Sequence, residues 1–275
     1  MSESPQGLDV RKLEGWLGAE SIVARLIVLE SVGSTNDFLR TLAREGAEEG
    51  TVVLADRQTA GRGRRGQPWH SPYGLGLYLS VLFYPRDPVD QLTRWTLAAA
   101  VAACEACRLT TGVEIEIKWP NDLLWKGRKV GGVLAEVRSA ATDAPVELVL
   151  GTGFNVSHEL SDFPDELSCR ATSLRLASGG RVPERERLAA DYLRALAAAV
   201  RELKDGSWRA VARRWERLAP GAFGQRVRVA AGPGRAPGYE GLTKGLDPVG
   251  GLRILRQDGR IVSLRLADSV VPLEA

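Results

Sequence analysis

Residues 57–71 read RQTAGRGRRGQPWHS, and residues 61–66 at their centre hold three glycines and three arginines without an acidic residue. Glycine can adopt positive φ and lets the backbone approach a ligand closely. Arginine carries a planar fork of donors that matches carboxylate and phosphate groups. This basic loop (residues 57–71) therefore predicts a flexible segment that closes over an anion. The alternative is a solvated basic surface loop.

The basic loop contains a formal GxGxxG, which in dinucleotide-binding folds follows a strand and opens a helix. Here strand-like runs stand on both sides, at residues 51–55 and 75–84. The P-loop pattern is also absent, because no Gly-Lys-Ser/Thr closes the run. The flanking strands thus argue against both nucleotide-binding motifs and predict a loop between two strands.

The composition is that of an ordinary globular protein. Its 275 residues are 44% hydrophobic and 26% charged, enough for one large core and a small second domain. The net charge of +3 gives no bulk argument for binding nucleic acid. Neither a signal peptide nor a run of about 20 apolar residues is visible, so no membrane span is expected. Three cysteines without framework spacing predict a reducing cytoplasm.

A CxxC formed by Cys104 and Cys107 lies in an alanine-rich helical run. No second CxxC follows, and both histidines are distant in sequence. A zinc site needs more ligands than this pair supplies. We therefore expect two buried cysteines on a helix face rather than a metal or redox centre.

The order of elements predicts an α+β fold with two domains. Residues 1–19 form a lead that is too short for a helix-turn-helix DNA-binding domain, residues 20–220 form a domain with a mixed sheet, and residues 221–275 form a small β-barrel. The strands are predicted at 21–30, 51–55, 75–84, 113–119, 123–137 (a hairpin) and 146–156. The helices are predicted at 9–17, 37–45, 87–108, 184–204 and 207–218, and residues 157–174 are predicted as loop.

Residues 118–122 read KWPND at a predicted strand end. Because Pro120 ends strand pairing, Asn121 and Asp122 are expected to project there, where a carboxylate could hold Mg²⁺ or orient a polar group. An Asn-Asp turn is the alternative. Lys129 follows in the hairpin, and an ammonium beside a basic loop is costly unless a phosphate or a developing oxyanion lies between them. An exposed turn lysine is the alternative.

Two further motifs predict contacts with a ligand. Gly151, Gly153 and Asn155 fall in an apolar strand, where glycines are unfavourable unless a ligand or another backbone comes close; a β-bulge is the alternative. Residues 34–36 read STN at a predicted helix start. Their hydroxyl and amide groups could bind a small neutral polar ligand, or cap the helix.

These motifs occur in one order: STN, QTAGRGRRGQPWHSP with LYLS, KWPNDLLWKGRKVGGVL-x-E and GTGFNV, then a small β domain. Together they resemble the biotin protein ligases over residues 20–275, specifically the monofunctional type without an N-terminal DNA-binding domain. The resemblance implies a mixed-sheet catalytic domain like that of class II synthetases and an SH3-like C-terminal barrel. It also implies an ATP-dependent reaction through biotinyl-5′-AMP, with transfer to a lysine of a biotin carboxyl carrier protein.

The resemblance also assigns the site residues. It implies that Lys129, Arg64 and Arg62 are catalytic, and that Asp122 holds Mg²⁺. Biotin would be bound by Ser34, Thr35, Asn36, Gln58, Gly61, Arg62, Gly63, Arg64, Lys129, Gly151 and Gly153. ATP would be bound by Arg64, Arg65, Trp69, Asn121, Asp122, Lys129 and Asn155. In this scheme the basic loop orders over the acyl-adenylate and keeps water away from it.

The expected partner is the carrier protein, with neither DNA nor a membrane involved, and the chain is expected to act as a monomer or homodimer. The family's glycine-acid pair before the last strand is replaced by LADSV at residues 266–270. Three other functions stay open: a lipoate ligase, which shares the fold but lacks GRGRRG; a non-catalytic sensor of biotin or biotinyl-AMP; and a nucleic-acid binder built on the basic loop.

Overall fold

The β-branched and apolar runs of the sequence form two sheets in the computed structural model, which describes residues 6–18, 22–138, 146–230, 238–265 and 270–273. The strands of the first sheet are β1 Arg25–Val32, β2 Thr51–Gln58, β3 Gly76–Phe83, β4 Glu116–Lys118, β5 Asp122–Trp125, β6 Arg128–Arg138 and β7 Glu147–Asn155. The helices are α1 Val10–Leu17, α2 Thr35–Arg44, α3 Thr93–Thr111, α4 Asp165–Ser168, α5 Leu174–Ala177, α6 Arg185–Lys204 and α7 Trp208–Leu218. The second sheet consists of β8 Phe223–Val229, β9 Tyr239–Leu246, β10 Leu252–Arg256, β11 Ile261–Leu264 and β12 Val270–Pro272.

The first sheet is mixed, as predicted. Its order is β1-β2-β3-β7-β6-β5-β4, with β1 and β2 parallel and the other neighbours antiparallel. Side chains alternate between faces along β2, so that Val52 and Leu54 join the large core with α3 and α6, whereas Val53 packs with α2. The many alanines of α3 let that helix lie close to α6. The α+β class is therefore confirmed.

The second sheet is antiparallel, in the order β11-β10-β9-β8-β12. Its inward side chains, such as Val227 and Ile254, belong to the same apolar cluster as Trp215 of α7. The two sheets therefore share one continuous core. The domain boundary at residue 220 stays a prediction.

Several predicted boundaries are wrong. The helix predicted at 87–108 begins only at Thr93, because Pro88 is extended (φ −54°, ψ 143°) and a 3-10 turn, Val89–Gln91, follows it. The strand predicted at 113–119 is reduced to β4, because residues 113–115 form no strand pairs and the chain turns after Lys118. The loop predicted at 157–174 contains α4 and a 3-10 turn, Leu160–Asp162, and α5 starts at its end.

Cys104 and Cys107 are buried on α3, and burial raises the pKa of both thiols, as expected for structural cysteines. Within the described ranges no group of three His, Cys, Asp or Glu side chains is placed to hold a metal ion. The helices of those ranges are also all too short or too polar to cross a lipid bilayer. Residues 266–269 of the LADSV segment lie outside the described residues.

Candidate active site

A cavity of about 300 Å³ opens where the basic loop meets the face of β3, β7 and β6. Most of the predicted site residues line it: Ser34, Thr35, Asn36, Gln58, Arg62, Gly63, Arg64, Arg65, Trp69, Asn121, Asp122, Lys129, Gly151 and Gly153. Gly61 and Asn155 lie outside its wall. The cavity therefore brings together four motifs that are up to about 120 residues apart in the chain.

One end of the cavity is a polar floor formed by Ser34, Thr35 and Asn36, with Ser80 hydrogen-bonded behind them, and each of the four is 5% exposed or less. The Ser34 side chain caps α2 by accepting from the Asp37 backbone N–H at 3.4 Å. Thr35 donates its backbone N–H (2.9 Å) and its hydroxyl (3.1 Å) to Gln58 Oε1. The capping and ligand-binding interpretations of STN are thus compatible, because different groups serve each.

Sequence reasoning missed Ser80. Its Oγ lies 2.8 Å from Thr35 Oγ1 and 2.6 Å from Asn36 Oδ1, and its single proton can be donated to only one of them. The signal was present, because Ser80 is the one hydroxyl other than that of Tyr78 in the otherwise apolar strand β3. A buried hydroxyl of this kind needs a partner.

The glycines of β7 make room for side chains of the protein itself. A Cβ at Gly151 would lie 2.2 Å from Asn36 Oδ1, and a Cβ at Gly153 would lie 2.7 Å from Trp69 Nε1. A close approach occurs at both glycines, but the approaching groups are the side chains of Asn36 and Trp69, whereas a ligand or another backbone was expected. Gly61 behaves in the same way, because its Cβ would meet Ser71 Oγ and Trp69 O at 2.8 Å.

The basic loop is folded back on itself in this structure. Gly63 N–H donates to Gln67 O at 2.7 Å, Trp69 N–H donates to Gly61 O at 2.9 Å, and a 3-10 turn, Arg64–Gly66, forms the tip. Arg65 in that turn has a positive φ of 57°. Such a conformation is uncommon for a residue with a side chain and is found in tight turns.

Arg62 differs most from its prediction. Its guanidinium makes two hydrogen bonds to the Asp37 carboxylate, one of them 2.6 Å between Nη2 and Oδ1, and Nη2 lies 3.5 Å from Glu136 Oε1. The hydrogen bonds from Arg62 lower the pKa of Asp37, although partial burial opposes them. The loop itself has no acid, but α2 and β6 supply two. Arg62 is therefore bound to protein carboxylates, whereas a contact with a substrate anion was expected.

Arg64 extends toward the KWPND turn. Its Nη1 donates to Asn121 Oδ1 at 3.3 Å, while Asn121 Nδ2 donates to Val133 O at 2.7 Å. Asn121 is 7% exposed, so its amide is fixed by these contacts. The arrangement links the tip of the basic loop to the β4–β5 turn across the cavity.

Lys129 has an anion beside it, namely Asp122. Lys129 Nζ lies 2.5 Å from Asp122 Oδ1 and 5.3 Å from the centre of the Trp69 ring. The Trp69 indole N–H is buried and has no acceptor among the described residues. The Lys129 ammonium therefore lines the cavity beside the Trp69 ring, where an anionic ligand could bind it, while the indole N–H is buried next to Gly153.

Asn155 lies behind this part of the wall. Its Nδ2 donates to Thr172 O at 2.9 Å and to Lys129 O at 3.4 Å. These bonds hold residues 170–172 against Lys129, whose own N–H donates to Arg170 O at 2.7 Å. Asn155 thus supports the backbone of Lys129. It was predicted to contact ATP, but in this structure its side chain does not line the cavity.

Comparison with known proteins agrees with this geometry. Residues 28–155 match the Biotin/lipoate A/B protein ligase family. The chain is 34% identical to the Bifunctional ligase/repressor BirA of Bacillus spizizenii, over 94% of this chain and 77% of that protein. It is 35% identical to the Biotin–[acetyl-CoA-carboxylase] ligase of Mycobacterium tuberculosis, over 94% of this chain and 96% of that protein.

A solved structure supports the same assignment. The biotin protein ligase from Aquifex aeolicus in complex with biotin and ATP superposes with a TM-score of 0.78 at 29% identity, covering 91% of this chain and 100% of that one. With a relative that is matched along almost its full length and a closely similar fold, the chain belongs to the biotin protein ligases.

Proposed function

We propose that this protein is an ATP-dependent ligase that activates biotin as biotinyl-5′-AMP and transfers the biotinyl group to one lysine of a biotin carboxyl carrier protein. The proposal is carried by one observation: a single cavity has a neutral polar end and a cationic end. The polar floor around Thr35 and Asn36 lies at one end, and the cations Lys129 and Arg64 lie at the other. Biotin adenylate has the same polarity, with a neutral ureido ring at one end and a phosphate at the other.

The floor suits the ureido ring. That ring has two N–H donors and one carbonyl acceptor, and the floor offers hydroxyl groups that can both donate and accept. The hydrogen bonds would be formed in a region that is almost completely buried, where an unpaired polar group is expensive. The dithiolane of a lipoyl group has neither N–H nor carbonyl, so it would leave the floor unpaired. This observation disfavours the lipoate alternative.

In the first step a carboxylate oxygen of biotin forms a bond to the α-phosphorus of ATP, and pyrophosphate leaves. Lys129 would lie beside the oxygens on which negative charge increases, because its side chain lines the cavity next to Asp122. Fixed cations and N–H donors that await developing charge lower the barrier without reorganising. Arg64, held by Asn121, would contribute a second positive charge from the loop.

The position of Asp122 is compatible with a ligand of Mg²⁺. Its carboxylate lines the cavity and is about one third exposed. Mg²⁺ in nucleotide enzymes binds one or two carboxylates together with substrate phosphates, so a single aspartate is compatible with such a site. When bound, the ion would offset charge on the triphosphate. Asp122 would then exchange its present partner, Lys129, for the ion.

In the second step the ε-amine of the carrier lysine attacks the acyl carbon, AMP leaves, and the nitrogen loses a proton to form the amide. The adenylate must be kept from water until that lysine arrives. The folded basic loop covers one side of the cavity, and Val270 of β12 reaches its wall from the C-terminal sheet. The carrier, a cytoplasmic location and a monomeric or dimeric state are parts of the proposal. The three free thiols support a reducing compartment.

The test is a transfer assay with MgATP, labelled biotin and a biotin carboxyl carrier domain. We expect label on the carrier only when ATP is present, and none on a carrier whose acceptor lysine is replaced by arginine. Labelled lipoate in place of biotin should give no product. Tight biotin binding without transfer would instead support the non-catalytic sensor and contradict the ligase.

A further inference from the structure

Ser71, the last residue of the basic loop, lies behind the wall of the cavity and contacts Gln58, which lines it. Ser71 is 5% exposed and does not line the cavity itself. Its Oγ accepts from Gln58 Nε2 at 3.2 Å and donates to Trp69 O at 3.0 Å. The Gln58 backbone N–H also donates to Ser71 O at 3.2 Å. Ser71 therefore holds Gln58 through both the backbone and the side chain.

These contacts fix the orientation of the Gln58 amide. A backbone carbonyl can only accept, so the single proton of Ser71 Oγ is directed at Trp69 O. The Ser71 oxygen can then only accept from Gln58, and the group that faces it must be the NH₂. At the other end, the Thr35 backbone N–H can only donate, so it must face Gln58 Oε1, which lies 2.9 Å away. Both ends of the network impose the same orientation.

The network is tightly packed around Gly61. A Cβ at Gly61 would lie 2.8 Å from Ser71 Oγ, 2.8 Å from Trp69 O and 3.0 Å from Gln58 Nε2. Such distances are shorter than ordinary van der Waals contacts, so a side chain at this position would push the three polar atoms apart. The absence of a side chain at Gly61 therefore allows Ser71 to reach both of its partners.

The orientation of Gln58 determines what the Thr35 hydroxyl can offer to a ligand. Thr35 Oγ1 donates its only proton to Gln58 Oε1 at 3.1 Å. Even when Ser80 donates to the same Thr35 oxygen, one lone pair remains for an N–H of a ligand. With a reversed Gln58 amide, the NH₂ would face Thr35, and the hydroxyl proton would have to turn elsewhere. The observed orientation thus makes Thr35 a hydrogen-bond acceptor.

We propose that Ser71 is a positioning residue that sets the hydrogen-bond polarity of the polar floor. By orienting the Gln58 amide, it makes the Thr35 hydroxyl an acceptor for an N–H group of the ligand. This role rests on the proposed function, since the ureido ring of biotin is taken as the group that supplies the N–H. Ser71 touches no substrate and acts on the affinity for biotin through Gln58 and Thr35.

A double-mutant cycle with Ser71→Ala and Gln58→Ala tests this role. Ser71→Ala removes the acceptor of Gln58 Nε2, so the amide loses its fixed orientation. We expect the Kd for biotin, measured by isothermal titration calorimetry, to rise about tenfold, the scale of one hydrogen bond lost in a buried site. The kcat of transfer to the carrier should change little, because the Thr35 contact is made equally in the ground state and the transition state. In a Gln58→Ala background, Ser71→Ala should not change the Kd further.

Thr51→Val is the matched control. It removes a buried hydroxyl at the start of β2, the strand that ends at Gln58, where Thr51 Oγ1 donates to Glu48 O at 2.8 Å. This variant should lower the melting temperature without changing the Kd for biotin. If Ser71→Ala does not fold, Ser71→Cys takes its place in the cycle, because a thiol is a weaker acceptor than a hydroxyl.

The possible results distinguish this role of Ser71 from the proposed function. If the wild-type protein neither binds biotin nor transfers it, the proposed function fails, and the role of Ser71 fails with it. If the wild type is an active ligase and Ser71→Ala binds biotin equally well, the role of Ser71 alone is overturned. Equal effects of Ser71→Ala with and without the Gln58 side chain would also overturn it, because Ser71 would then act only on packing.

Discussion

Lys129 Nζ lies 2.5 Å from Asp122 Oδ1, and this ion pair joins β6 to the start of β5 at the wall of the cavity. Both side chains are about one third exposed. Ion pairs with this access to water contribute at most about 1 kcal/mol to stability. The ion pair therefore neutralises Lys129 but adds little to the stability of the fold. A substrate phosphate can take the place of Asp122 beside Lys129 without a large loss of stability.

Lys129→Ala should reduce formation of biotinyl-5′-AMP by about 10²- to 10³-fold, as expected when a donor to developing charge is removed. Biotin-dependent exchange of pyrophosphate into ATP measures this step. The melting temperature should change little, because the ion pair is exposed. Lys126→Ala is the matched control, since Lys126 lies in the turn of the same hairpin, over Trp125. Equal activity of the two variants would remove Lys129 from the mechanism.

Asp122→Asn distinguishes a carboxylate that holds Mg²⁺ from one that only pairs with Lys129. If Asp122 binds the ion, the Mg²⁺ concentration that gives half-maximal activity should rise by roughly tenfold, because one of few direct oxygen ligands loses its charge. A titration of activity with Mg²⁺ at saturating ATP measures the shift. A lower maximal rate with an unchanged Mg²⁺ requirement would show that the aspartate acts on Lys129 alone.

Many residues of the cavity could be predicted from the sequence, because its motifs reflect local constraints on the backbone, such as turns and positions without room for a side chain. KWPND marks a tight turn, and the two glycines of β7 mark places where bulk is excluded. Each of these signals lies within a few residues and does not depend on contacts with distant parts of the chain. The α+β class followed for the same reason, since the apolar runs have strand and helix lengths.

The partners of the cations could not be predicted. Arg62 meets Asp37 and Glu136, which are 25 and 74 positions away in sequence. Their contact depends on the register of β6 and on where α2 crosses the sheet, and neither is encoded locally. Ser80 was missed for the same reason, because Thr35 and Asn36 are 45 and 44 positions from it. The residues of the basic loop alone therefore predicted a flexible segment. In the structure the loop is a folded hairpin, held by contacts of Arg62 with Asp37 of α2 and Glu136 of β6.

Gly151→Ala tests whether the floor is as tightly packed as its geometry indicates. The new methyl group would lie 2.2 Å from Asn36 Oδ1, so Asn36 must move or the strands must separate. Overpacking of this kind costs about 1–3 kcal/mol in the free energy of unfolding. The KM for biotin should also rise, because a displaced Asn36 disturbs the floor.

Gly15→Ala is the control for Gly151→Ala. Gly15 lies in α1 with open space around it, so the substitution should stabilise the protein slightly, since alanine is the better helix former. Chemical denaturation of both variants, together with biotin saturation curves, measures the two effects. An unaltered KM in a destabilised Gly151→Ala would separate packing of the floor from recognition of biotin.

The buried imidazole of His158 should make the stability of the protein depend on pH. It is completely buried after β7, and its ring stacks on Phe163 with centroids 4.9 Å apart. Burial, with a smaller contribution from the nearby charge of His70, lowers the pKa of His158 from 6.5 to about 4. The Asp162 carboxylate opposes this shift but does not cancel it.

Between pH 6.5 and 4 the unfolded chain binds a proton at His158 that the folded chain excludes. The stabilisation that His158 contributes is therefore complete above pH 6.5 and is lost as the pH falls toward 4. Because one pKa unit corresponds to about 1.4 kcal/mol, the loss is about 3 kcal/mol. Denaturant unfolding of the wild type and of His158→Gln at several pH values measures it as a difference in slope. His70→Gln should keep most of the slope, and parallel curves for the wild type and His158→Gln would contradict a buried neutral imidazole.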